Sequence, residues 1–415
     1  MGERIVVNVY TGKKGFVPRF TVFFINFGIV FLMLSNISQL VFGKELAAIT
    51  LLQKITTVAC LIVSVAIIIF KNKIIQLLKC SLVWVVLHVI AYIVNPDISI
   101  LFSRIIIYSF GYLVVLACLF ITIEDLTSFI KAYTPYIYIS VLLSVLQVLC
   151  YTKSGVYSMQ YSYYTVPVAI ICMCQIKKST LFYIPLLIII LTDLVCGSRG
   201  CFLCFVIAVI FIELLSESSA NRVIVVSVLA IAFALLIINL PSVAKLALRV
   251  LPDSRTLLYL AEGNLNLSGR DVYYGQLFGE IVESGFSIHG LYSDRLFMAN
   301  YFSRTTMAEI YGSYSHNIII EVLFQFGWLG IPVLVIMLLG LCKSFLAVKR
   351  SKEEAQQTIW ICFASFALGQ LLVSSSYLTA ISFGAMLGVY FLIDKMREDS
   401  LKNIIDIFIK QRFEK

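Results

Sequence analysis

Three short polar motifs interrupt a strongly apolar chain: Gly197-Ser198-Arg199-Gly200, Ser268-Gly269-Arg270 and Ser315-His316-Asn317. Arginine suits phosphate because its planar fork donates two parallel hydrogen bonds and keeps its charge. Arg199 falls between two hydrophobic runs, where a charge is expensive unless it faces a polar cavity or a partner. The alternative there is an ion pair with Asp193, a short way upstream. Arg270 stands at the expected start of a helix, whose free N–H groups and dipole favour an anion; a solvated loop arginine is the other reading. His316 lies where the chain re-enters a hydrophobic run, and Ser315 or Asn317 can cap the helix that follows. A helix N-terminus disfavours imidazolium, so a histidine there tends to stay neutral and able to accept a proton as a general base. Its alternative is a structural histidine bonded to a loop carbonyl. Glu321, about one helical turn deeper, is placed to orient His316 or to pair with an arginine.

The surrounding residues narrow the chemistry. Between Pro241 and Asn317 the chain gathers Lys245, Arg249, Arg255, Arg270, Arg295 and Arg304, with two of the three histidines, His289 and His316. His88, set among Val, Leu and Ile, reads as a buried hydrogen-bonded residue, and His289 beside Gly290 as a loop residue. No Gly-rich phosphate loop, acidic metal-binding cluster or Ser/His/Asp spacing occurs, so neither a metal nor a cofactor is expected. Cys172, Cys174, Cys201 and Cys204 read as small core hydrophobes, and an odd total of 11 cysteines scattered through apolar runs argues against a disulfide framework. The tyrosines of Tyr157–Tyr164 suit either a sugar path or an interfacial anchor.

The elements that must position these groups are membrane helices. Apolar residues make up 60% of the chain and charged residues 13%, with a mean hydropathy of +0.96. A soluble domain is about 45–50% apolar and about 25% charged. Runs of roughly 20 apolar residues, enough to cross a bilayer, recur along the length, and a stretch such as Ile184–Cys196 lacks the alternation of a β-barrel strand. The expectation is an all-α polytopic protein of twelve spans: 20–42, 46–70, 77–94, 101–123, 133–151, 163–176, 181–196, 200–215, 222–240, 317–342, 357–373 and 376–393. The first run has no small-residue cleavage site and reads as an uncleaved span. Residues 1–240 would hold nine spans, 241–315 one large loop, and 316–415 three spans and a basic tail. Lys71, Lys73, Lys131, Lys177, Lys178, Lys343, Lys349 and Arg350 then share one side with both termini. By the positive-inside rule that side is cytoplasmic and the loop extracytoplasmic. Within the loop, 243–251 has the spacing of an interfacial helix. A second helix is expected from Ser268 towards Glu283, with Asp271 completing a capping-box-like pair and Gly285 and Gly290 ending it. No internal repeat supports the paired halves of a transporter.

In this order and on this topology the motifs resemble the superfamily of bacterial O-antigen polymerases and O-antigen ligases. The resemblance covers 190–340. It rests on Ser198-Arg199-Gly200 with Leu203 four residues after the arginine, on Ser268-Gly269-Arg270, on Ser315-His316-Asn317, and on Gly327-Trp328-Leu329-Gly330. Tyr274 stands where the family often has Trp, and the Pro usual before the loop Gly is missing near Ser287–Gly290. The resemblance implies a GT-C-like helical fold in a bacterial plasma (inner) membrane, with the active site on the extracytoplasmic face. It implies metal-independent glycosyl transfer from an undecaprenyl-diphosphate-linked oligosaccharide to an acceptor glycan. Arg199 and Arg270 would bind the donor diphosphate, and His316 would activate the acceptor hydroxyl. Polymerases, which join O-antigen or capsule repeat units, and ligases, which move a finished glycan to lipid A core or protein, share these motifs. The polymerase reading is favoured because that branch varies most in sequence. A lipid-linked oligosaccharide flippase fits twelve spans but predicts no long loop rich in Arg and His. Implied partners are the bilayer, a flippase and a chain-length regulator, and not nucleic acid.

Overall fold

The computed structural model describes residues 15–154, 159–196, 199–216 and 270–413, with single positions at 242, 245, 248, 249, 258, 261 and 262. The span expected at 222–240 lies outside the described residues, as do Ser268, Gly269 and most of the interfacial helix expected at 243–251. Among the described residues the protein is helical, without a strand. The helices are α1 (Phe16–Phe42), α2 (Ala47–Phe70), α3 (Ile74–Val94), α4 (Pro96–Phe120), α5 (Leu126–Tyr151), α6 (Met159–Gln175), α7 (Tyr183–Cys196) and α8 (Arg199–Leu215). After the undescribed stretch come α9 (Arg270–Glu283), α10 (Ser293–Tyr301), α11 (Met307–Tyr311), α12 (Ile318–Ser351), α13 (Glu354–Val373) and α14 (Ile381–Phe413).

Seven of these, α1 to α5, α12 and α13, are long and apolar enough to cross a membrane. The chain is therefore a polytopic membrane protein. The helices at the other expected spans are α6, α7 and α8, of 17, 14 and 17 residues, and the mixed helix α14. At about 1.5 Å per residue, α7 reaches only about 21 Å, short of a hydrocarbon core about 30 Å thick. Outward-facing apolar side chains crowd α2, α3 and the second half of α12, among them Ile62, Phe70, Leu82, Ile93, Ile336 and Leu339, each more than 60% exposed. A continuous apolar face of that kind has no place in water and suits lipid.

Helix boundaries follow local chemistry. α1 stops at Gly43, whose left-handed backbone lets its N–H bond the Gln39 carbonyl. α4 opens as a 3-10 turn, with Pro96 in its first turn and the Asn95 side chain capping the Asp97 N–H, then winds as a π-helix over Ile105–Leu116. α14 begins at Ile381, later than the expected 376, because Ser374–Ala380 forms turns with Ser376 bonded to the Leu378 N–H.

One core joins most of the bundle. Phe24 of α1, Phe120 of α4, Phe129 of α5 and Phe363 of α13 are fully or almost fully buried at its centre, with Phe120 and Phe363 packed edge to face. α8 packs tightly on α13, where a side chain at Gly369 would collide with Cys204. Small residues that bring backbones together are the usual basis of helix association in membranes. Cys172, Cys201 and Cys204 are buried, and Cys174 is partly buried, which fits their reading as core residues. The same chain direction that puts the start of α8 beside the end of α13 assembles the polar groups described next.

Candidate functional site

Ser374, one residue past the end of α13, is where the separated motifs meet. Arg270, the first residue of α9, donates from Nη2 to Ser374 Oγ at 3.1 Å. Tyr314 donates its hydroxyl to the Ser374 carbonyl at 2.8 Å. Gly200, second residue of α8, has its missing Cβ position 3.2 Å from Ser374 Oγ and hard against the Tyr163 hydroxyl. A side chain at 200 would displace the Tyr163 hydroxyl. Arg199 is placed by its backbone, as the first residue of α8. Gly200, Arg270 and the His316 turn, more than a hundred residues apart from first to last in the chain, thus border one serine.

His316 sits in the turn that leads into α12. Asn317 caps that helix, its Oδ1 accepting from the Ile319 and Ile320 N–H groups at 2.9 and 3.3 Å, while its Nδ2 donates to the Leu372 carbonyl at 3.1 Å. Of the two expected caps, Asn317 fills the role and Ser315 instead bonds the Asn317 carbonyl at 3.0 Å. His316 itself is held in left-handed backbone at φ 58°, a conformation that costs a non-glycine residue about 1–2 kcal/mol. Its ring lies edge-on to Tyr273 and 4.1 Å, centroid to centroid, from Tyr314. Nδ1 is buried without a hydrogen-bond partner, which costs about 1–3 kcal/mol. Strain and an orphaned nitrogen on one residue mark a position shaped for something other than stability.

Burial, followed by the Arg270 charge and more weakly those of Arg295 and Arg304, pushes the His316 pKa down to about 4, against an opposing contribution from the Ser374 backbone. The imidazole is therefore neutral at pH 7. The sequence expectation of a neutral ring is met for a different reason: desolvation and neighbouring cations dominate, and the helix N-terminus is not among the leading causes.

Arginines here bond to neutral groups. Arg304 donates to Ser313 Oγ at 2.8 Å and lies over the Phe302 ring at 4.9 Å. Arg295 is fully buried; it donates to the Tyr311 carbonyl and to Thr379 Oγ1 and stacks against Tyr292, Tyr311 and Tyr314 at 5.4, 4.5 and 5.2 Å. Among the described residues none of Arg270, Arg295 and Arg304 forms an ion pair within 4 Å. Arg295 is balanced at longer range by the buried Asp294 and Glu321, whereas Arg270, half-buried and bonded to a hydroxyl, stands next to a neutral imidazole. A guanidinium so placed attracts an anion, and the imidazole can remove a proton beside it.

Other expected positions resolve differently. Glu321 turns away from His316, accepting from the Ser376 hydroxyl and from the Tyr377 N–H at 3.3 Å. His88 is a buried structural residue, bonded to the Trp84 carbonyl at 2.8 Å and the Tyr292 hydroxyl at 3.2 Å. His289 stacks on Phe324 and bonds its carbonyl at 3.0 Å. In the tyrosine-rich stretch, Tyr161 is buried against Ser144, and Tyr163 reaches the Gly200–Ser374 contact. α9 ends before Gly285 as expected and starts, within the described residues, at Arg270. Gly327 earns its place geometrically: its φ is +55° and the Phe286 carbonyl leaves no room for a Cβ, so the Gly327 bend in α12 clamps the segment after α9.

Sequence reading missed Ser374, Ser376, Tyr377, Asp294 and Gln325. A run of three serines between two apolar helices, Ser374-Ser375-Ser376, was the available signal for the first two. No family model matches the chain, nor does any curated protein or solved structure.

Proposed function

We propose that this protein is a metal-independent membrane glycosyltransferase that polymerises repeat units of an O-antigen or capsule type, taking glycan from an undecaprenyl-diphosphate carrier. The observation that carries the reading is the meeting of Arg270, His316 and the Arg199-Gly200 helix start around Ser374. A diphosphate supplies the anion that unpaired arginines lack, and an acceptor hydroxyl supplies the proton that neutral His316 can take. In the proposed step the acceptor oxygen attacks the anomeric carbon, and its proton passes to His316. The bond from that carbon to the diphosphate oxygen breaks, its electron pair leaving on the diphosphate, whose charge Arg199 and Arg270 stabilise.

The membrane topology belongs to the same reading: twelve spans, both termini cytoplasmic, and 241–315 outside, in the bacterial plasma membrane. The positive-inside bias supports it. Glycan analysis of a deletion strain tests the branch. Single-repeat products support polymerase, whereas intact lipid-linked polymer that is never transferred to lipid A core or protein supports a ligase and refutes this assignment. Reporter fusions at Asn264 and Lys415 test the orientation, and extracytoplasmic activity at Lys415 contradicts it.

A further inference from the structure

Beneath the site lies a buried polar network that the proposed chemistry does not use. Asp294, Glu321 and Gln325 are all fully buried. Gln325 joins the two carboxylates, its Nε2 donating to Asp294 Oδ1 at 2.8 Å and standing 3.5 Å from Glu321 Oε1. Its Oε1 accepts from the Tyr377 hydroxyl at 2.6 Å. The second Asp294 oxygen accepts from the Ser315 N–H at 3.1 Å, one residue before His316. Glu321 accepts from the Ser376 hydroxyl and the Tyr377 N–H, two and three residues after Ser374. The network therefore ends on both walls of the site. One end grips the His316 turn and the other the segment that receives Arg270.

Buried carboxylates are costly unless every lone pair is engaged, and replacing such groups by apolar side chains is often neutral or stabilising. Arg295, buried beside them, gains a balancing charge from both, but one carboxylate would supply that, so fold stability alone is a weak reason to keep two of them. We propose that Asp294 and Glu321, bridged by Gln325 and Tyr377, are positioning residues that set the spacing between His316 and Ser374-bound Arg270. They hold the His316 backbone in its left-handed conformation through the Ser315 N–H. The proposal rests on the function assigned above for its kinetic consequence, while its structural consequence is read at His316 directly.

The test uses full-length protein in lipid nanodiscs, with transfer from a lipid-diphosphate repeat unit and ¹⁵N-histidine NMR as separate readouts. The chain has three histidines, so His316→Gln assigns the signal. Asp294→Asn sets an amide N–H against the Gln325 amide, and Gln325→Glu restores a complementary acceptor. Asp294→Asn is expected to lower kcat about 10- to 100-fold at unchanged donor KM, the scale of a displaced catalytic group, and to move the His316 titration up as the turn opens to water. Asp294→Asn/Gln325→Glu is expected to recover part of both. Tyr377→Phe keeps the ring, removes one hydroxyl and should move both readouts in the same directions by less. It serves as the deciding variant where Asp294→Asn does not fold. A folded Asp294→Asn, or failing that a folded Tyr377→Phe, with wild-type kcat and an unmoved His316 titration overturns the proposal. Wild-type protein that transfers nothing, yet whose His316 titration responds to these variants, removes the assigned function and leaves the positioning intact.

Discussion

The two ends of the helix bundle handle positive charge in opposite ways. α13 connects them, with Glu354 in its first turn and Ser374 just past its last residue, about 30 Å away along the helix. At the Glu354 end four cations pair with carboxylates at the surface: Lys71 with Glu124 at 2.9 Å, Lys178 with Glu354 at 2.8 Å, and Lys343 and Arg397 with Asp394 at 3.0 Å. At the Ser374 end, Arg270, Arg295 and Arg304 are partly or fully buried and bond to hydroxyls and carbonyls. Asp294 and Glu321 there bond to Ser315, Gln325, Ser376 and Tyr377 and balance the buried Arg295 only at longer range. Charge satisfied by its own chain holds a surface in place. Charge left unsatisfied in a drier environment is available to a ligand and acts on it more strongly, because the dielectric is lower.

The sharpest way to break this contrast is His316→Ala. Loss of a general base costs about 10²–10⁴-fold in rate, so unpolymerised repeat units should accumulate at an unchanged protein level. Donor binding should persist because the arginines remain. Normal chain length in that strain would leave His316 a strained structural residue.

Arg270→Ala and Arg199→Ala should come next. Hydrogen bonds to charged groups contribute about 1.5–3 kcal/mol each, so each loss should weaken donor binding by about 10- to 150-fold on the scale of 1.4 kcal/mol per factor of ten. Arg270→Lys should recover only part of it, since lysine keeps the charge and loses the fork. Full activity in Arg270→Ala would take that residue out of the mechanism.

A subtler effect is on acid sensitivity. His316 is depressed to about 4 by burial first and then by Arg270. Acid should therefore inhibit transfer only as the pH falls through that value and the ring gains its proton. Binding of inorganic pyrophosphate should neutralise Arg270 locally, favour imidazolium and raise the titration. An His316 signal indifferent to pyrophosphate would separate the imidazole from the anion site.

The smallest change is expected at the other end. Exposed ion pairs contribute about 0–1 kcal/mol, so Lys343→Ala should leave transfer and membrane level near wild type. Loss of transfer in Lys343→Ala would erase the distinction between the two ends.

Much of this was legible in the sequence, and the limits have physical causes. Long apolar runs read directly as helices because a bilayer demands internally bonded backbone. Arg270 and His316 stood out because polar residues are rare against that background. Their convergence did not, since it depends on α8, α9, α12 and α13 meeting at one serine, and Ser374 looks like any helix-ending residue. Gln325 was similarly disguised within the apolar run of α12, while Glu321, four residues before it, stood out in the sequence but with other partners than the ones it has. Tertiary packing alone shows that they face Asp294 and Tyr377. The neutrality of His316 was anticipated from a helix terminus and arises mainly from burial, a quantity that local sequence does not contain.

The proposed glycosyl transfer from a lipid diphosphate depends on the arginines and the neutral histidine gathered at one end of the bundle. The most direct measurement reconstitutes the full-length protein in nanodiscs with undecaprenyl-diphosphate-linked repeat units and follows product length, for wild type and for His316→Ala matched in donor binding. Wild type is expected to give a ladder of polymers and released undecaprenyl diphosphate, and His316→Ala bound, unconverted donor. Equal ladders from both proteins, or no elongation by wild type with donor bound, would contradict the proposed transfer.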